Sequence, residues 1–123
     1  MNIELIKNIN KNIFLQLSLE RRRKIGEISS MKIYVYDNEG QNIPHFHIRI
    51  NDLPDTCLKI LEAKWFDHGK NTGFLYRKQL KELYNWLCKN SYKHWKEIII
   101  EWNKHANNKI DINFQIPNYL NII

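Results

Sequence analysis

The stretch IPHFHIRI, Ile43 to Ile50, follows a proline with apolar residues at alternate positions. Side chains alternate across a strand, so Phe46, Ile48 and Ile50 share one face while His45, His47 and Arg49 share the other. The first face is predicted to be core. The second carries two imidazoles and a guanidinium, and imidazole exchanges protons or binds metal near neutral pH. A His-x-His pair on one strand face is therefore the leading candidate site.

On the amino-terminal side, MKIYVY alternates Ile33 and Val35 with Lys32, Tyr34 and Tyr36, and DNEGQNIP then supplies turn chemistry. This is the pattern of a β-hairpin with a longish loop. If Ile33 and Val35 join Phe46, Ile48 and Ile50 in the core, cross-strand neighbours Tyr34 and Tyr36 join His45, His47 and Arg49 on the opposite face. Beyond the histidine strand, CLKILEA predicts a third strand with Leu58 and Ile60 inward and Lys59 outward. KWFDHGKNTGF then breaks the pattern, and reads as a loop able to fold over the sheet and carry His68 toward the pair.

Helical periodicity brackets this meander. Tyr76, Leu80, Leu83, Tyr84 and Leu87 form a stripe on a helix from about residue 75 to 89. Trp95, Ile98, Ile99, Trp102 and Ala106 form another from about 91 to 106, capped by Ser91. Residues 2–17 space Leu5, Ile6, Ile9 and Ile13 for a helix, and Ser18 is placed to cap a short second one over LERRRKIGEIS. KIDINFQIP offers a last alternating strand. The expected architecture is α+β, with a small antiparallel β-meander packed on one face by two carboxy-terminal helices and an amino-terminal helical extension over residues 1–30. Residues 31–116 form the core of a single domain spanning 1–123.

Composition bounds the reading. The chain has 123 residues, 43% of them hydrophobic, with four Trp and five Phe, enough for one core. Four Gly and three Pro leave no room for a flexible linker. Apolar runs are too short to span a bilayer, and no signal-peptide pattern opens the chain, so a cytoplasmic protein is expected. Cys57 and Cys88 lack zinc-knuckle or disulfide spacing and read as free, mostly buried thiols. The net charge of +6 is concentrated in residues 1–30 and 63–106, whereas residues 31–62 are slightly acidic. That balance suits a polyanionic partner, RNA or a nucleoprotein above all, although solubility alone explains a charge of this size equally well.

The order YVYDNEGQNIPHFHIRI followed by the Leu/Trp helical segment resembles the bacterial family called domain of unknown function 4160. Its members look like a short hairpin with a Pro-His-Phe-His or Pro-His-Ile-His signature after an Asn-Glu turn, followed by a helix pair. The resemblance covers roughly residues 28–105, through Asn38, Glu39, Pro44, His45, His47, Trp86 and Trp102. Ile43 departs from it, standing where the family usually has a second proline. The resemblance implies a hairpin-plus-helices fold. Members look like partners in two-gene, toxin-antitoxin-like arrangements, which implies a cognate protein partner.

Three functions compete. A metal-independent, toxin-type ribonuclease needs a base, an acid and cations around the phosphorane charge. His45 and His47 would fill the first two roles, Arg49 and Lys59 would hold phosphate, and Tyr34 or Tyr36 would stack a base. Lys70, Arg77 and Lys78 would extend the contact to nucleic acid, and no cofactor would be required. A metal site would use His45 and His47 with His68, and Asp67 or Glu39 to complete the shell; Glu101, His105 and His94 form a weaker helical set. In a non-enzymatic interaction module, such as an antitoxin, inhibitor or decoy, the histidines would be structural, with His45 locking the turn after Pro44.

Overall fold

Four strands lie in sheet order β1-β2-β3-β4, and every neighbouring pair is antiparallel. The structure, a computed structural model, describes residues 22–37 and 43–122. The strands are β1 (Arg22–Ile28), β2 (Met31–Tyr36), β3 (His45–Ile50) and β4 (Thr56–Lys59). They are followed by the helical element α1 (Arg77–His105) and a single 3-10 turn, Tyr119–Asn121. The architecture is α+β. No helix among the described residues is long and apolar enough to cross a membrane.

The central register pairs Ile33 with Ile48 and Tyr34 with His47, so the two faces separate as alternation requires. Met31, Ile33, Val35, Phe46, Ile48 and Leu58 form the core face. Leu80, Leu83, Leu87, Trp95, Ile98, Ile99 and Trp102 of α1 belong to the same buried cluster. Each large apolar side chain removed from water contributes about 1.5–3 kcal/mol, so this layer is the main source of stability. Tyr119 closes the bottom of the core, and its hydroxyl donates to the Lys59 carbonyl at 2.5 Å.

The helical reading of LERRRKIGEIS is corrected: Arg22–Ile28 is an edge strand. Ile25 and Ile28 are three apart, which mimics a helical repeat and in a regular strand would send them to opposite faces. A bulge between Lys24 and Gly26 inserts one residue and restores the parity, so both pack against the core. Gly26 is fixed by a close approach, because a Cβ there would lie 2.5 Å from Cζ2 of Trp86 on α1. The proposed helix over residues 2–17 lies outside the described residues, as do Asn38 and Glu39 of the hairpin loop.

Two further expectations change. The two expected helices run together as one 29-residue element, kinked where Lys89 is extended and Asn90, Ser91 and Tyr92 take positive φ of 53°, 56° and 62°. Ser91 therefore lies inside the break; an N-cap requires extended backbone, which Ser91 lacks. The element begins at Arg77, where the Gln79 side chain accepts the Tyr76 amide at 2.8 Å. Tyr76 itself is 70% exposed, outside the apolar stripe. The segment KIDINFQIP is not a strand. The Asn103 side chain brackets the Ile110 backbone with bonds of 2.7 and 2.8 Å, and Trp95 Nε1 donates to the Phe114 carbonyl at 2.9 Å. The Ile110 amide and carbonyl and the Phe114 carbonyl are thus satisfied by helix side chains, and the Asn113 and Phe114 amides by Asp111, with no sheet edge involved.

Gly26→Ala is expected to destabilise the fold by about 1–3 kcal/mol through overpacking against Trp86. In a Trp86→Leu background the same change should cost much less. Chemical denaturation of the four proteins measures the coupling, and equal costs in both backgrounds would remove the Gly26–Trp86 contact as the cause.

Candidate metal centre

The second face of the sheet is buried as well. His45 is 1% exposed, His47 2% and Tyr34 8%, whereas alternation alone predicts only the other face to be core and leaves this one to solvent. The physical reason is a second cover that periodicity does not reveal. After β4 the chain turns back along the sheet edge, with the Lys59 amide bonded to the Lys64 carbonyl at 3.0 Å and the Phe66 amide to the Cys57 carbonyl at 2.9 Å. This pairing sets the Phe66 ring 4.7 Å from that of His45. His68 and Asn71 then exchange backbone hydrogen bonds of 3.3 and 2.9 Å around Gly69 and Lys70, and Gly69 takes a φ of +58°. Glycine at the first central position is what such a two-residue hairpin requires. The hairpin holds His68 over the sheet.

Three imidazoles converge as a result. Ring centroids are separated by 5.2 Å for His45–His47, 4.9 Å for His45–His68 and 5.4 Å for His47–His68. One nitrogen from each ring lies within 4.8 Å of the other two. The loop thus brings His68 to the pair on the strand.

Two of the rings are oriented from behind. His45 Nδ1 is 2.8 Å from the Ile43 carbonyl, the contact expected of a histidine that locks the turn around Pro44. His47 Nδ1 is 3.0 Å from Asp55 Oδ2. A carbonyl and a carboxylate only accept, so Nδ1 carries a proton in both rings, and whenever the ring is neutral Nε2 carries the lone pair. Neutral imidazole oriented by a carbonyl or carboxylate is the form in which histidine ligates metals.

Asp55, 4% exposed, joins this face to Arg49, whose Nε donates to Asp55 Oδ1 at 2.9 Å. Burial acts to raise the Asp55 carboxyl, but hydrogen bonds from His47 and Arg49, with their charges, outweigh it and hold it below the ordinary carboxylate range. The same bond to Asp55 raises the Arg49 guanidinium. Cys57, opposite His47 across the β3–β4 pair, sets Sγ 3.4 Å from His47 Nδ1 and 3.3 Å from His68 Nε2.

The remaining expected residues take other positions. Tyr36 stacks on His47 with centroids 4.3 Å apart, and Arg22 lies 4.9 Å above the Tyr34 ring, so both phenols pack within the face. Lys59 is half-buried on β4. Lys70, Arg77 and Lys78 are exposed, and Arg77 donates to the Leu120 carbonyl at 2.9 Å. Asp67 is exposed and lies outside the histidine group. The helical set is dispersed: His94 stacks on Trp86, His105 faces Asp37 and Glu101 pairs with Lys104.

Asp55 and Cys57 are absent from the sequence-based site, yet a signal for them existed. With Leu58 and Ile60 inward, alternation sends residues 55, 57 and 59 to the histidine face. No family model matches the chain, and neither a curated protein nor a solved structure matches it.

Because the Asp55 pKa is lowered on folding, its stabilisation is fully present above the ordinary carboxylate value of about 3.9 and is lost as pH falls through the lower folded value. Asp55→Asn should reduce stability at neutral pH and flatten the decline seen on acidification. Urea unfolding from pH 7 down to about pH 2.5 checks this, and parallel curves for the two proteins would show that another group governs the acid limb.

Proposed function

We propose that the protein is a small metal-binding domain whose centre, His45, His47 and His68, holds one divalent transition-metal ion, with zinc the best match to the donors. The observation that carries this reading is the convergence of three imidazoles, two of them directed by Nδ1 contacts, in a buried place. Imidazole suits zinc, copper, iron and nickel, and a buried site with neutral nitrogen donors disfavours the hard oxygen-seeking ions. An ion there would join β3 to the hairpin of His68, turning a loop contact into a cross-link and contributing its binding energy to folding. Asp55 would hold His47 in the ligating tautomer, and Arg49 would keep Asp55 ionised.

Ribonuclease chemistry has less support. His45 and His47 are almost without exposed surface, and the guanidinium expected to hold phosphate is engaged with Asp55. A phosphodiester would have to displace the Phe66–His68 cover before reaching either ring.

Protein expressed without a polyhistidine tag should contain about one zinc per chain by elemental analysis. His45→Ala, His47→Ala and His68→Ala should each remove most of it, and Asp55→Asn should weaken affinity about 10–100-fold. Chelation should lower the melting temperature, since free metal at one hundred times Kd contributes about 2.7 kcal/mol. Wild-type protein that carries no stoichiometric metal and gains no stability from added zinc would remove the reading.

A further inference from the structure

We infer that Cys57 is the fourth ligand of this centre, closing it as a three-histidine, one-thiolate site with no coordination position left for water or substrate. The inference rests on the metal-binding reading above and assigns the site a structural role. Cys57 Sγ lies 3.3 Å from His68 Nε2 and 3.4 Å from His47 Nδ1, so on binding the sulfur turns from the Asp55 side of the His47 ring toward the centre. In a tetrahedral zinc site, bonds of about 2.0–2.1 Å to nitrogen and 2.3 Å to sulfur set neighbouring donors about 3.4–3.6 Å apart. The Cys57–His68 pair already has nearly that separation. The histidine nitrogens lie within 4.8 Å of one another, and they and the sulfur, which stands outside that spacing, move inward to reach it when an ion binds.

Topology makes the sulfur part of the same wall. His47 and Cys57 are direct cross-strand partners, so their side chains leave the sheet on one side. Cys57 is 1% exposed, which keeps the thiol from solvent oxidants and other thiols, and its contact with His68 sets it beside the centre. Binding exchanges one proton for the metal: the Cys57 S–H bond breaks, H⁺ leaves to solvent, and the sulfur electron pair forms the metal–sulfur bond without redox change. A thiolate also lowers the charge of a buried dication held by three neutral imidazoles. Catalytic zinc keeps one position open, whereas structural zinc fills all four.

Cobalt(II) reads out the donor set. Wild-type protein titrated with cobalt should develop the intense visible bands of a tetrahedral ion together with a near-ultraviolet sulfur-to-cobalt charge-transfer band. Cys57→Ser should abolish the charge-transfer band while cobalt still binds, and Cys88→Ser should retain it. X-ray absorption of the zinc-loaded wild type should place one sulfur at about 2.3 Å, a measurement that does not depend on any variant folding. Cobalt or zinc bound without a sulfur donor would overturn the assignment of Cys57 and leave the three-histidine centre standing. No binding of either ion would overturn both.

Discussion

The register of β3 against its neighbours is the constraint on which the structure depends. Pairing Ile33 with Ile48 and Tyr34 with His47 sends Phe46 and Ile48 into the apolar core, and His45 and His47 to the opposite face, where Trp102 near the end of α1 reaches the His45 ring at 5.6 Å. A slip of one residue would exchange those faces, setting two imidazoles among Leu83, Trp95 and Ile98 and Phe46 among the polar groups. The apolar layer therefore specifies the position of the polar cluster. Burial energy on one side of the sheet fixes the chemistry on the other.

A four-stranded sheet with one helical layer ordinarily leaves its second face to water. Here the chain after β4 covers that face with Phe66 and His68, and the polar groups beneath must satisfy one another. The sequence of contacts from Arg49 through Asp55, His47 and Cys57 to His68 is the response. It includes a cation, an anion, two imidazoles and a thiol, and each link is 2.9–3.4 Å long. Such a network is stable only when complete, since a donor left alone in this interior costs about 1–3 kcal/mol. The burial that works against phosphate chemistry is also what makes convergent imidazoles suitable for a metal ion.

The strands carrying the histidines were legible because their period of two is undisturbed from Ile33 to Ile50 on either side of the loop. That the loop after β4 could carry His68 toward the pair was readable from its break in pattern, but its resting place was not. Less was readable where a tertiary contact overrides the local pattern. The spacing of Ile25 and Ile28 suggests a helix until the bulge is known, and the bulge serves a glycine that meets a tryptophan sixty residues later. The spacing in KIDINFQIP is regular, but Asn103 and Trp95 capture its backbone. Burial of the histidine face was illegible for the same reason, since it depends on where a loop of mixed polarity comes to rest. Cys57 was a different omission, because the alternation that sent Leu58 inward already sent its neighbour toward the imidazoles.

The three left-handed residues Asn90, Ser91 and Tyr92 have a consequence for size. A straight rod of 29 residues would measure about 44 Å, whereas a strand of six or seven residues covers only about 20–23 Å. An unbroken rod would overhang the sheet by roughly half its length, stranding either Leu80, Leu83 and Leu87 or Trp95, Ile98 and Trp102 in water. By reversing the handedness of the backbone for three steps, the chain folds a ruler too long for its box into two pieces that both fit inside.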